Sequence, residues 1–403
     1  MKRLDRTLIG AVSVLALALS TNALAQKKYD EGASDTEIKI GQTMPYSGPA
    51  SAYGTIGKAS AAYFEKINAE GGVNGRKIKF ISLDDAYSPP RAVEQTRRLV
   101  EEERVLFLFG PLGTPTNSAV HKYVNAKKIP HIMLNTGATK WGDPKNFPWT
   151  MGWNMAYQTE AKLYAAHILK NRPTAKIAVL YQNDDYGKDY LKGMKDGLGD
   201  KAASMIVAEA SYEVTDTTVD SQIVSLQASG ADTFFNVTTP KFAAQAIRKT
   251  YDIGWKPLQF LNAVSYSVGS VLTPAGLEKS IGLLTIVYYK DPNDPQWKDD
   301  AGAKEYVAFM KKWFSEGSLA DAFNVVGYTQ AQALVQMLKQ CGDKLTRENI
   351  MQQTASMKNV ELPMMLPGVR LNTSSQDYYP IEQGQFARFD GKEWKLFGPV
   401  LGQ

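Results

Sequence analysis

Apolar-rich segments alternate with amphipathic stretches over most of the chain. Residues 38–43, 77–83, 105–109 and 129–134 read as strands. Between them, 57–69, 91–103 and 116–126 carry apolar residues at helical spacing, with Val93, Leu99 and Val100 on one face of the second. Pro89-Pro90 stands where proline is tolerated, at a helix start. Gly71-Gly72-Val73-Asn74-Gly75 marks a turn. Apolar strands separated by helices predict a parallel sheet covered on both faces.

The pattern then restarts. Helices at 157–169, 188–198, 219–228 and 241–251 alternate with strands at 176–181, 204–210, 233–237 and 258–261. Two successive series of this kind predict two doubly wound α/β lobes. Past Ile281 the signal turns helical, at 300–314, 325–339 and 347–357. Residues 386–394 then read as two strands around an Asp390-Gly391 turn.

The first residues have a different character. Lys2, Arg3 and Arg6 precede an apolar stretch at 8–19, shorter than the roughly 20 residues that span a bilayer. It ends in Ala23-Leu24-Ala25, a small-x-small pattern. The expectation is a signal peptide over 1–25, cleaved after Ala25, and an exported, periplasmic protein. The 403 residues are 44% hydrophobic and 22% charged, which excludes a disordered or fibrous chain. A net charge of +5 without a Lys/Arg run gives no footprint for nucleic acid. Cys341 is the lone cysteine, so no intramolecular disulfide exists and the fold depends on its core.

Catalytic and cofactor signatures fail one by one. The loop after the first strand, Gly41-Gln42-Thr43-Met44-Pro45, lacks the G-x-G-x-x-G spacing. Neither a G-x-x-x-x-G-K-[ST] nor a G-x-S-x-G run occurs. His121, His131 and His167 make no metal motif; His131 reads as a structural histidine. Asp84-Asp85 reads as a solvated strand end leading into a cap. No enzyme, cofactor or metal is expected, and a binder is the better reading.

Ligands of open α/β sheets bind off the carboxyl ends of strands. The loops there are rich in glycine and small hydroxyl residues. Gly110-Pro111-Leu112-Gly113-Thr114 runs into a helix N-terminus, and Thr136-Gly137-Ala138-Thr139 follows the fourth strand. Free N–H groups with threonine hydroxyls make a carboxylate-sized anion site, or the threonines serve only as caps. Gln182 to Tyr186, Thr238-Thr239 and Asn262 to Tyr266 complete the loop set.

These residues carry a resemblance. Ile38–Gly41, Pro45-x-Ser47-Gly48-Pro49 with Tyr53-Gly54, Gly71 to Arg76, Asp84-Asp85, Phe109-Gly110 with Thr114, Gly137-Ala138-Thr139 and Asp185-Tyr186-Gly187 occur in the order seen in one family. The chain resembles ABC-transporter solute-binding proteins of the leucine/isoleucine/valine-binding family, of the type I periplasmic-binding fold. The likeness is specific over the first two-thirds and lies mainly in pattern beyond.

The resemblance implies two lobes joined by a three-crossing hinge that closes on a ligand. One lobe would comprise 36–155 plus 290–361, the other 156–289 plus 362–403. It implies partnership with permease and ATPase subunits of an importer, while the repeated β/α unit without an oligomerising heptad leads to the expectation of a monomer. It puts the ligand carboxylate on Thr114 and on Ala138 with Thr139, and packs Tyr53 and Tyr186 against the ligand. The candidate ligand-binding set is Tyr53, Leu112, Thr114, Gly137, Ala138, Thr139, Tyr186, Thr238 and Val264.

The chain also departs from the family. Branched-chain amino acid binders carry an acid near Val264, where it pairs with the ligand ammonium. The family's disulfide is absent. Trp141, Trp149, Trp153, Tyr157 and Tyr266 add aromatics near the loops. The expected ligand is therefore a small aromatic or aliphatic carboxylate without an α-amino group. Asp184 or Asp185 could rescue an ammonium, which leaves branched-chain amino acid binding as the alternative; a ligand-sensing protein of the same fold is another.

Overall fold

Two separate sheets take up the apolar segments in the computed structural model, which describes residues 27–402. The signal-peptide reading, with its cleavage after Ala25, lies outside the described residues. A short strand, β1 (Lys28–Tyr29), comes first. The first sheet holds β2 (Glu37–Met44), β3 (Lys77–Asp84), β4 (Phe107–Phe109), β5 (His131–Leu134) and β6 (Thr150–Gly152). Its order is β3-β2-β4-β5-β6, parallel throughout. The second holds β7 (Ile177–Gln182), β8 (Ile206–Tyr212), β9 (Thr233–Val237), β10 (Leu258–Leu261) and β11 (Leu284–Val287). β12 (Lys344–Leu345) pairs with β1, and β13 (Gly384–Phe389) and β14 (Trp394–Leu401) extend the second sheet from β11. The full order is β14-β13-β11-β10-β9-β7-β8, with β13 and β14 antiparallel.

Each sheet reverses its winding once, between β2 and β4 and between β7 and β9. Such switch points open a crevice at the strands' carboxyl ends. The chain passes between the sheets three times: after β6, after β11 and after helix Arg347–Thr354. Helix Ala322–Cys341 returns to the first sheet and packs on helix Gly54–Ala69. The contact is close because Gly327 lacks a side chain; a Cβ there would stand 2.2 Å from the Ile56 carbonyl oxygen. Ser60 Oγ donates to the Gly327 carbonyl at 3.0 Å across the same seam. Among the described residues, no helix is long and apolar enough to cross a membrane.

Several local expectations change. β6 and β11 were not expected: β6 is only three residues long, and β11 lies where the chain's signal had turned helical. The stretch expected as one helix over 91–103 is helix Pro89–Arg97 followed by a wider π turn, Arg98–Glu102. The strand expected from 204 starts at Ile206, because Ala202–Met205 is still helical. Asp85 is not solvated: it is fully buried, and its Oδ1 accepts the Tyr87 N–H at 2.8 Å. Burial pushes its carboxyl up to about 7. The final hairpin forms as read, pairing Phe389 with Trp394 around Asp390-Gly391.

Candidate functional site

A narrow pocket lies between the two switch points. Each strand end delivers a piece of wall. Leu112, Gly113 and Thr114 follow β4, Tyr186 follows β7, Thr239 follows β9, and Ala263 and Val264 follow β10. Tyr53 comes from the turn before helix Gly54–Ala69, and Phe323 and Val326 from helix Ala322–Cys341.

Seven tyrosines dominate the wall: Tyr53, Tyr87, Tyr157, Tyr186, Tyr266, Tyr288 and Tyr289. Burial raises every one of their hydroxyl pKa values, so all are neutral phenols. The lining includes no Asp, Glu, Lys, Arg or His. Its polar groups are hydroxyls and the side-chain amides of Asn135 and Asn154. Tyr186 is 2% exposed, and its hydroxyl has no partner among the described residues. Asn135 Nδ2 donates to the Gly110 carbonyl at 2.8 Å and to Gln330 Oε1 at 3.0 Å, while its Oδ1 is left unpaired.

One end of the cavity is built to donate protons. Thr136 Oγ1 accepts the Trp141 indole N–H at 3.2 Å and the Ala138 N–H at 3.3 Å. With both lone pairs taken, its own proton goes to Thr114 Oγ1, 2.6 Å away. The Thr114 proton then points away from Thr136, to the side where the Tyr157 hydroxyl also stands. Thr114 opens the 13-residue helix Thr114–Ala126, so the positive end of that helix faces the same place. The N–H groups of Thr114 and Thr116 have no partner among the described residues. Gly113 allows the turn: its φ is +102°, and a Cβ would lie 2.6 Å from the Tyr87 ring.

Of the nine residues singled out in the sequence, Tyr53, Leu112, Thr114, Tyr186 and Val264 line the cavity. Gly137, Ala138, Thr139 and Thr238 do not. Gly137 sits behind Tyr157 and accepts its N–H at 2.7 Å, and the Ala138 N–H is spent on Thr136. The Thr139 N–H binds Asp189 Oδ2 at 2.6 Å, its carbonyl accepts the Tyr379 hydroxyl, and its own hydroxyl is buried without a partner. Thr238 is tied into the loop behind the wall: its hydroxyl donates to Asn236 Oδ1 at 2.6 Å, and its carbonyl accepts Asn262 Nδ2 and Ser265 Oγ. The neighbouring Thr239 faces the cavity instead.

Tyr87, Tyr288 and Tyr289 were not foreseen. Tyr87 follows β3, so the strand-end rule applied to that loop would have found it. Asp184 caps the helix Asp185–Leu198, accepting from the Tyr186 and Gly187 N–H groups, and Asp185 pairs with Lys140 Nζ at 2.6 Å. Neither belongs to the cavity lining.

Comparison with known proteins matches this architecture. Residues 37–393 fit the periplasmic binding protein family. A Leu/Ile/Val-binding protein homolog 7 of Brucella abortus (strain 2308) is 24% identical over 334 residues, 80% of this chain and 81% of its own length. A branched-chain amino acid ABC transporter structure from Thermus thermophilus with bound valine superposes with a TM-score of 0.82 at 14% identity, covering 92% of this chain and 98% of that one. A fatty acid ABC transporter substrate-binding protein from Thermomonospora curvata gives 0.78 at 21% identity, over 94% and 95% of the two chains. The family match takes in the first sheet, the second as far as β13, and all three passages between them, and on that ground the chain belongs to the periplasmic binding protein family.

Proposed function

We propose that this protein captures a small aromatic or aliphatic carboxylate lacking an α-amino group and delivers it to the permease and ATPase subunits of an ABC importer. The observation that carries this reading is the uncharged, tyrosine-rich lining with proton donors gathered at one end. A carboxylate there meets the Thr114 hydroxyl and the positive end of helix Thr114–Ala126. An α-ammonium in the same space meets phenol rings and Val264, and loses its water without gaining a counter-charge, at a cost of several kcal/mol. The rings suit an aromatic or branched apolar body.

Branched-chain amino acid binding is the second reading. The name of the Brucella relative and the valine bound to the Thermus protein favour it. Calorimetric titration of refolded, ligand-free protein separates the two. Hydroxy-aromatic and branched aliphatic acids are expected to bind more tightly than leucine, isoleucine or valine. Micromolar leucine binding with no response to the acids overturns the first reading in favour of the second.

A further inference from the structure

A second, narrower pocket adjoins the first at the hinge. The two share a wall, since Tyr266 and Tyr289 belong to both linings. The halves of this partition are held differently. Tyr289 is pinned, its hydroxyl accepting the Trp153 indole N–H at 2.7 Å. The Tyr266 hydroxyl has no hydrogen bond among the described residues; only its main chain is held, with the carbonyl accepting the Trp394 indole N–H at 2.8 Å. Turning the Tyr266 ring therefore breaks no hydrogen bond of its own, whereas moving Tyr289 breaks one.

Much of the space behind is apolar, with Val287, Leu366, Leu396 and Trp394 in its lining. Its lining also carries Asp291, Asp294 and Lys290, and the one cation, Lys290, is already paired with Asp300 at 2.8 Å.

Resting on the carboxylate reading above, we infer that the ligand is an elongated monocarboxylate, its acid at Thr114 and its apolar tail passing Tyr266 into the hinge chamber. The chamber offers the tail rings and branched side chains, so each added methylene leaves water for an apolar surface. A second carboxylate at the tail's end would meet Asp291 and Asp294, so a dicarboxylate of equal length is rejected.

The test is calorimetry with a homologous series of ω-phenyl monocarboxylates, from phenylacetate upward, and the matching straight-chain dicarboxylates. On the wild-type protein, each methylene that enters the hinge chamber is expected to tighten binding about fourfold. Ala322→Phe narrows that chamber without touching the first cavity. It is expected to leave phenylacetate binding unchanged and abolish the gain with length. Leu396→Trp, on strand β14, provides a second block should Ala322→Phe fold poorly. Short acids that bind while longer ones bind no better, or a length dependence that survives both blocks, overturns the two-chamber inference and leaves the function standing. Failure of every acid, short or long, overturns both.

Discussion

The Tyr53 hydroxyl donates to the Val264 carbonyl at 2.9 Å, joining a residue beside the first sheet to one at the end of β10 in the second. Both side chains line the cavity, so the bond seals it at the point where the lobes meet. Thr139 N–H to Asp189 and Lys140 to Asp185 add further ties between the sheets' loops. Ser267 and Ser270, which both donate to Asp321, do the same at the hinge side.

Tyr53→Phe keeps the ring against Phe323, 4.9 Å away between centroids, and removes only the hydroxyl. A neutral hydrogen bond contributes about 0.5–1.5 kcal/mol. Ligand affinity is expected to fall between about twofold and tenfold, with the melting temperature of the ligand-free protein little changed. Small-angle scattering should show the variant needing more ligand to reach the same compact state. Unchanged affinity removes this bond from the closing of the cavity.

Thr114 and Thr139 looked alike in the sequence and differ in the structure. Thr114→Val removes the hydroxyl that lines the cavity at the helix start, and is expected to weaken carboxylate binding by about 1–3 kcal/mol. Thr139→Val deletes a hydroxyl that is buried without a partner, so binding should hold and stability should stay level or rise slightly. The methyl ester of the ligand should bind poorly to the wild type. Equal losses in the two variants would return Thr139 to the site.

How much was legible follows from these residues. The two sheets showed because their strands are apolar runs between helices of clear period. Thr114 showed because a strand, a glycine loop and a helix start stand together. Thr139 misled because a hydroxyl after a strand can turn either way; here Asp189, 50 positions on, draws its main chain toward the other lobe. Tyr87 stands in the loop after β3, a strand end left out of the candidate loops; a left-handed turn, φ +59° after Ala86 at +50°, held by Asp84 and Asp85, brings it to the cavity. Tyr288 and Tyr289 were hidden with β11, a four-residue strand between helical turns that pairs on one side with β13, far along the chain.

Glu160 predicts a pH dependence. It is buried, and that burial pushes its carboxyl up to about 7 from an ordinary 4.5, against the pull of the Ala263 N–H and the Tyr190 and Tyr164 hydroxyls. The folded protein therefore holds this proton more tightly than the unfolded chain does. The stability it contributes is full below about pH 4.5 and is lost as pH rises through 7. The loss is on the order of 3 kcal/mol at most. Thermal melts of wild type and Glu160→Gln over that range should diverge, the wild type declining more steeply. Parallel curves would mean that Glu160 titrates near its ordinary value.

Val264 carries the last prediction, because it isolates charge from shape. Its side chain lines the cavity, while its carbonyl, the acceptor for Tyr53, belongs to the main chain and survives substitution. The resemblance to branched-chain amino acid binders puts an acid near this position, and the wall here has none. Val264→Asp supplies one. For an amino acid, the new carboxylate faces the ammonium and offsets its lost water. For a carboxylate ligand without an amine, it adds a like charge to a space that no cation lines. Buried unpaired charges cost several kcal/mol, far more than the change in side-chain volume at this site. Titrations should therefore show the acids weakened at least tenfold and leucine gaining measurable affinity. If both ligand classes weaken alike, volume rather than charge governs the position. If the acids are unaffected, the ligand does not lie against Val264.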